Sequence, residues 1–152
     1  MLIDKFNQFS NAQAVTASGA TISEVVFDAN HTSNVLKDLG TGEEVYLRVQ
    51  LDEAFTGSLT TVTFALVSDS TENLATSVTT HWTSGAIAKA SLTIGAVVAT
   101  IAIPRSLVYE RYLGMIYTTD NTASTGKVTA FLTGDAPSWK AYTTSHVTKT
   151  GR

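Results

Sequence analysis

The sequence predicts an all-β protein, a jelly-roll or Greek-key β-sandwich of about eight antiparallel strands, on three observations. The stretch VYLRVQL at 45–51 alternates apolar and polar residues with a period of two, the signature of a half-buried strand. Threonine, whose branched side chain suits a pleated strand and costs a helix entropy, occurs 25 times in 152 residues. No segment sustains apolar residues at i, i+3, i+4 and i+7, the pattern a helix would need to bury one face.

The elements follow in order. AVTAS at 14–18 and TISEVVF at 21–27 open the series, followed by VYLRVQL. LTTVTFALVS at 59–68 comes after the Gly57-Ser58 break, and SVTTHWTS at 77–84 follows the loop DSTENLATS. In that loop Asp69 and Glu72 stand at capping-box spacing, which supports a single helical turn. AVVATIAI at 96–103 ends at Pro104, which lacks the N–H to continue a central ladder. YLGMIYTT at 112–119 and KVTAFLT at 127–133 complete the set. Strands in this number hide their edges and one apolar face in a sandwich or a closed barrel. VTFALV and AVVATIAI are apolar on both faces, which suits the middle of a sheet whose outer face is covered as well, by a partner subunit for example. The domain reading is an N-terminal arm at 1–13, a sandwich at 14–133 and a C-terminal tail or arm at 134–152.

Composition narrows the function classes. The length fits one domain with a self-sufficient core. The absence of cysteine excludes disulfides, thiol catalysis and cysteine-bound metal, and suits manufacture in a reducing cytoplasm. A net charge of −3, with ten basic residues none of which are adjacent, argues against a nucleic-acid partner. Charged residues are only 15% of the chain, so the surface is one of hydroxyls and small side chains. MLIDKFNQFS has no apolar h-region, so a secretory signal is not expected. The uncharged run at 90–103 is too short to span a membrane as a helix and reads as one or two strands broken near Gly95.

Chemistry-bearing constellations are sparse. His31, His81 and His146 are far apart and none has a partner at metal-ligand spacing, so no metal or other cofactor is expected. His81-Trp82 reads as one inward and one outward residue on a strand. Glu43-Glu44 and Asp52-Glu53 are adjacent pairs that point to opposite faces of a strand and make no acid–base dyad. Nucleophile elbows and phosphate loops are absent. No catalytic residue is therefore assigned, and the protein is expected not to be an enzyme. The aromatics carry more: Phe6 and Phe9 lie near one terminus, Trp139 and Tyr142 near the other. Termini are ordinarily polar and frayed, so bulky rings there dock onto something, either their own sandwich or another subunit. These four, with Phe55 at the AFTG turn as a weaker candidate, are the expected interaction residues.

The opening LIDKFNQFSNAQAVTASGAT resembles the start of small phage capsid cement proteins, a family first described from a Bordetella phage. GEEVYLRVQLDEAFTGSLTTVTFAL, the SDSTENLATS loop and RYLGMIYT after an IPR turn resemble the same pattern, so the likeness spans roughly residues 2–133. The resemblance implies a jelly-roll subunit, a homodimer in preference to a trimer, on the outer face of the expanded capsid. It would be assembled in the host bacterial cytoplasm and would bridge neighbouring major capsid proteins, with no membrane or nucleic-acid partner. The rival reading is a virion-borne or secreted carbohydrate-binding module, with Trp82, Trp139 or the tyrosines stacking on sugar rings.

Overall fold

The computed structural model describes residues 5–29, 44–104 and 108–134. Two antiparallel sheets pack face to face. One has the strand order β1 (Gln8–Ala14), β10 (Ala123–Thr133), β4 (Tyr46–Gly57), β8 (Val97–Ala102). The other runs β2 (Gly19–Ile22), β9 (Tyr112–Thr119), β5 (Thr61–Asp69), β6 (Thr79–Thr83), with the two-residue strands β3 (Phe27–Asp28) on β9 and β7 (Ile87–Ala88) on β5. Two 3-10 turns, η1 (Lys5–Asn7) and η2 (Lys89–Ser91), complete the described elements. With β3 and β7 set aside, the eight main strands follow the double-Greek-key connectivity of a jelly roll.

The alternation seen in the sequence builds the core directly. Leu47, Val49 and Leu51 of β4 face inward beside Val128, Ala130 and Leu132 of β10. Opposite them stand Val62, Phe64 and Leu66 of β5 with Leu113, Met115 and Tyr117 of β9. Phe64 and Tyr117 meet edge to face at 5.9 Å between ring centroids, a favoured geometry for two aromatic quadrupoles.

Four expectations change. Residues 8–14 are not an arm: they form β1 and pair with β10, Gln8 opposite Phe131 and Gln13 opposite Val128. VTFALV does lie mid-sheet with its outer face partly covered, but the cover belongs to the same chain. Val67 on that outer face stands opposite Gly114, and Leu74 from the 70–78 loop settles onto the spot where Gly114 has no side chain. Val67 and Leu74 are both buried. The 70–78 loop itself is a turn rather than a helical one, with Leu74 at φ 48°. AVVATIAI, by contrast, is an edge strand and not a central one, and Val97 at its start is 47% exposed. The run does break near Gly95, which adopts φ 76° in the turn between η2 and β8. No helix among the described residues is long and apolar enough to cross a membrane.

Gly57 ends β4 at φ 110°, a region that side chains avoid, and a Cβ there would lie 2.6 Å from the Ser124 nitrogen. Gly57→Ala is expected to lower unfolding free energy by about 1–3 kcal/mol or more, read as a drop in the urea midpoint at constant slope. A midpoint within error of wild type would show that the β4–β10 end tolerates a side chain.

Candidate interaction surface

The jelly-roll connectivity gives the sandwich two unlike ends. At one end the connections 15–18, 58–60, 84–96 and 120–122 are tied to one another. The Ala123 amide donates to Thr16 O at 3.1 Å, the Ser58 amide to Thr122 O at 3.1 Å, and Lys89 Nζ to Gly57 O at 2.8 Å. Asp120 accepts the Thr60 hydroxyl and the Thr61 and Thr60 amides, and these bonds hold its carboxyl down to about 2. The other end carries the start of β1, the close of β10, the connection between β5 and β6, and residues 108–111 ahead of β9.

A dense polar cluster occupies that second end. The Asp69 side chain is buried, which by itself would raise its pKa. The amides of Thr76, Thr71 and Ser77 and the Ser70 hydroxyl outweigh that burial, and the carboxyl sits well below the usual carboxylate range. Asp69 thus gathers both flanks of the loop that positions Leu74. Next to it, Ser68 Oγ lies 2.7 Å from His81 Nε2 and accepts the Glu110 amide at 3.1 Å. The Glu110 carboxylate takes hydroxyls from Thr79 and Ser77, and the His81 ring stacks on Tyr109 at 4.2 Å. Burial keeps His81 below its ordinary value, against the pull of Glu110.

A Ser–His contact of this length invites comparison with an activated nucleophile, but the geometry serves a different purpose. Ser68 is fully buried, its oxygen is already engaged by the Glu110 amide, and Glu110 itself is held by threonine and serine hydroxyls. The cluster clamps Tyr109 and Glu110 onto β5 and β6. No group of three His, Cys, Asp or Glu side chains among the described residues could hold a metal ion.

The interaction residues expected from sequence scatter. Phe9 is 0% exposed and meets Phe27 edge to face at 4.7 Å, and Phe55 is 3% exposed with its ring over Gly126. Both rings are therefore core residues in this structure and present no face to a partner. Phe6 lies in η1, and its side chain is outside the described part; Trp139 and Tyr142 lie outside the described residues altogether. His81 occupies a register shift between the Leu66–Trp82 and Val67–Thr80 pairs, so the one-in, one-out reading of His81-Trp82 fails. Trp82 is half-buried and packs one part of its side chain against the core. Of the paired carboxylates, Glu43 is outside the described residues, Glu44 accepts the Tyr46 hydroxyl, Asp52 accepts the Thr129 hydroxyl and Glu53 pairs with Lys127 at 3.0 Å.

The surfaces left open are sheet edges. The side of the sandwich bounded by β1 and β2 is laced shut: the Val25 amide donates to Phe9 O at 2.9 Å, Gln13 Nε2 to Ile22 O at 2.7 Å, and the Glu24 amide to Gln13 Oε1 at 3.0 Å. On the opposite side β6 and β8 end their sheets with no described strand beyond them. Ile94, 73% exposed, and Val97 lie at the start of β8. Periodicity could not have distinguished these edges from the interior.

A family model described as Bbp16, the name of a Bordetella phage protein, matches residues 9–132. The match begins in β1 and ends in β10, so it covers the whole sandwich. No curated protein matches the chain.

Phe9→Ala and Phe55→Ala are each expected to cost about 3–5 kcal/mol of stability in urea unfolding of the isolated protein. Rings acting only as partner anchors would leave that midpoint unchanged. The Asp69 carboxyl titrates lower in the folded state than its unfolded value of about 3.9, so its stabilising contribution is present above that pH and fades as pH falls through the folded value. Asp69→Asn is therefore expected to be less stable than wild type at neutral pH, with the gap narrowing in acid. A gap that stays constant from neutral to strongly acidic pH would remove the carboxylate from the account.

Proposed function

Because the chain belongs to the Bbp16 family, we propose that it is a non-enzymatic capsid cement protein of a bacteriophage, binding the outer surface of the expanded shell and bridging neighbouring major capsid subunits. The family match is the observation that carries the reading. A second feature supports it: a double sheet whose first and last described strands are neighbours, so that the start of β1 and the close of β10 lie at one end of the sandwich.

The mechanism is thermodynamic. Packaged DNA pushes outward on a thin shell, and the seams between capsomers are its weak points. A rigid clip that binds the assembled shell and not its free subunits stabilises the assembled state by mass action. Association of the clip with itself, as a dimer in preference to a trimer, lets several modest contacts act together. Overall avidity then exceeds any one of them by about 10²–10⁴ where geometry permits simultaneous engagement. Each contact can stay below the roughly 1,200–2,000 Å² of a standard interface. The terminal segments, including Trp139 and Tyr142, are the elements assigned to shell contact.

Quantitative mass spectrometry of purified virions is expected to find the protein in a simple ratio to the major capsid protein, with hundreds of copies per particle. A handful of copies would point to a tail role, and none would overturn the capsid reading. In add-back to expanded shells lacking the protein, removal of 135–152 is expected to abolish binding while leaving the urea midpoint intact. The matching N-terminal truncation must stop at residue 4, because β1 and the buried Phe9 begin just beyond η1.

A further inference from the structure

We propose that Ser68, His81, Tyr109 and Glu110 form an acid-sensitive latch: protonation of His81 breaks the hydrogen-bond chain that holds Tyr109 and Glu110 against β5 and β6, and frees the stretch that enters β9. The latch is complete within one copy of the chain, so it stands apart from the capsid reading and needs no partner.

The geometry sets the protonation state. Ser68 is fully buried, and its oxygen already accepts the Glu110 amide at 3.1 Å. Its hydroxyl hydrogen needs an acceptor of its own, and His81 Nε2 stands 2.7 Å away. An unprotonated Nε2 takes that hydrogen, and no buried side-chain polar atom among the described residues is left without a partner. A proton on Nε2 turns it from acceptor to donor. Ser68 would then face two donors, with its own hydrogen stranded in a site that water does not reach. A stranded buried donor costs more than the bond contributed, so one added proton undoes the inner contact of the latch.

The groups around His81 decide which state wins. Its neighbours on β6 are threonines and Trp82. On β5, Asp69 follows Ser68 but points to the opposite face of the strand, where the amides of Thr71, Thr76 and Ser77 hold it. Tyr112 on β9 stands opposite Asp69, and Glu72 in the 70–78 loop is exposed. Ahead of β9, Arg111 is paired with Asp28 at 2.8 Å, and Tyr109 stacks on the imidazole with its hydroxyl on Pro104 O at 2.8 Å. Glu110 pulls towards protonation, but its carboxylate is engaged by the Thr79 and Ser77 hydroxyls.

Burial outweighs that pull and keeps the folded His81 below its ordinary value of about 6.5. A folded value below the unfolded one means that the stability of the closed latch is fully present above about pH 6.5. It is lost as pH falls through the folded value, because opening gives the ring back to water and restores its ordinary affinity for a proton. His81 is the only histidine among the described residues, and Asp120 at the tied end titrates near 2. Mild acid therefore loosens the end of the sandwich that carries residues 108–111 and leaves the bonds of Asp120 intact.

Hydrogen exchange of the full-length protein tests the latch, with each rate divided by the intrinsic rate at the same pH. The Glu110 amide is expected to open locally and to exchange faster than the amides shared between β4 and β10. From about pH 8 to about pH 5 its corrected rate is expected to rise threefold or more. His81→Gln keeps an acceptor for the Ser68 hydroxyl and cannot titrate, so in that variant the Glu110 amide is expected to stay protected throughout. Should it not fold, Glu110→Gln removes the charge that favours the proton, and the midpoint of the response is expected to move to lower pH. A wild-type amide with no response overturns the latch, as does a response that persists in His81→Gln or keeps its midpoint in Glu110→Gln. Exchange of the Glu110 amide only in step with β4 and β10 overturns it as well, since the contact would then open with the whole fold.

Discussion

The hydroxyl contact between Ser10 on β1 and Tyr117 on β9 crosses the space between the two sheets, and the closed side of the sandwich depends on it. The Tyr117 ring is fully buried, so its hydroxyl must find a partner inside the protein, and Ser10 Oγ supplies one at 2.7 Å. Burial pushes the phenol well above its ordinary value, against the pull of the Ser10 bond, so it stays neutral. Ser10 in turn donates to Gln13 Oε1 at 2.6 Å, and the other end of that amide donates to Ile22 O. Four residues from three strands thus form one satisfied network, and a satisfied network in a low-dielectric core fixes position more strictly than apolar packing alone. It sets where β1 lies on β10, and from there where the 22–25 segment can cover the edge.

The same network explains what could and could not be read from the sequence. β9 was legible to the residue, and β5, β8 and β10 to within a few, because their inward positions are apolar and their periodicity is unbroken. In β1 the inward positions include Ser10 and Gln13, and the register shifts twice, so neither hydrophobicity nor period two marks QFSNAQA as a strand. Phe9 then stood out as an aromatic near a terminus when it is a core residue of the first strand. The edge position of β8 was misread for a related reason: an apolar alternation reports which faces are covered, never which flank is paired. Leu74 and Gly114 show the limit from the other side. A loop leucine filling the space left by a glycine forty residues later leaves no periodic trace.

The functional residues divide along the same line. No local pattern could have shown that Trp82 packs in part against the core or that Glu110 clamps a loop, since each depends on partners brought together by the Greek-key path. What the sequence did carry was a set of strand-and-turn blocks in a fixed order. Those blocks place the resemblance over the same sandwich that the family match spans.

The adjacency of β1 and β10 also bears on how such a chain is made. Gln8 pairs with Phe131, so the first of the described strands to be synthesised has as its ladder partner the last of them. At about 5–20 residues per second, several seconds separate the synthesis of the two. During that interval β4 also lacks the central neighbour against which it packs. The fold therefore closes late, with the high contact order that makes all-β domains slow. An incomplete chain has no means of presenting a finished sandwich. Until β10 is made, β1 and β4 lack the strand that joins them in one sheet.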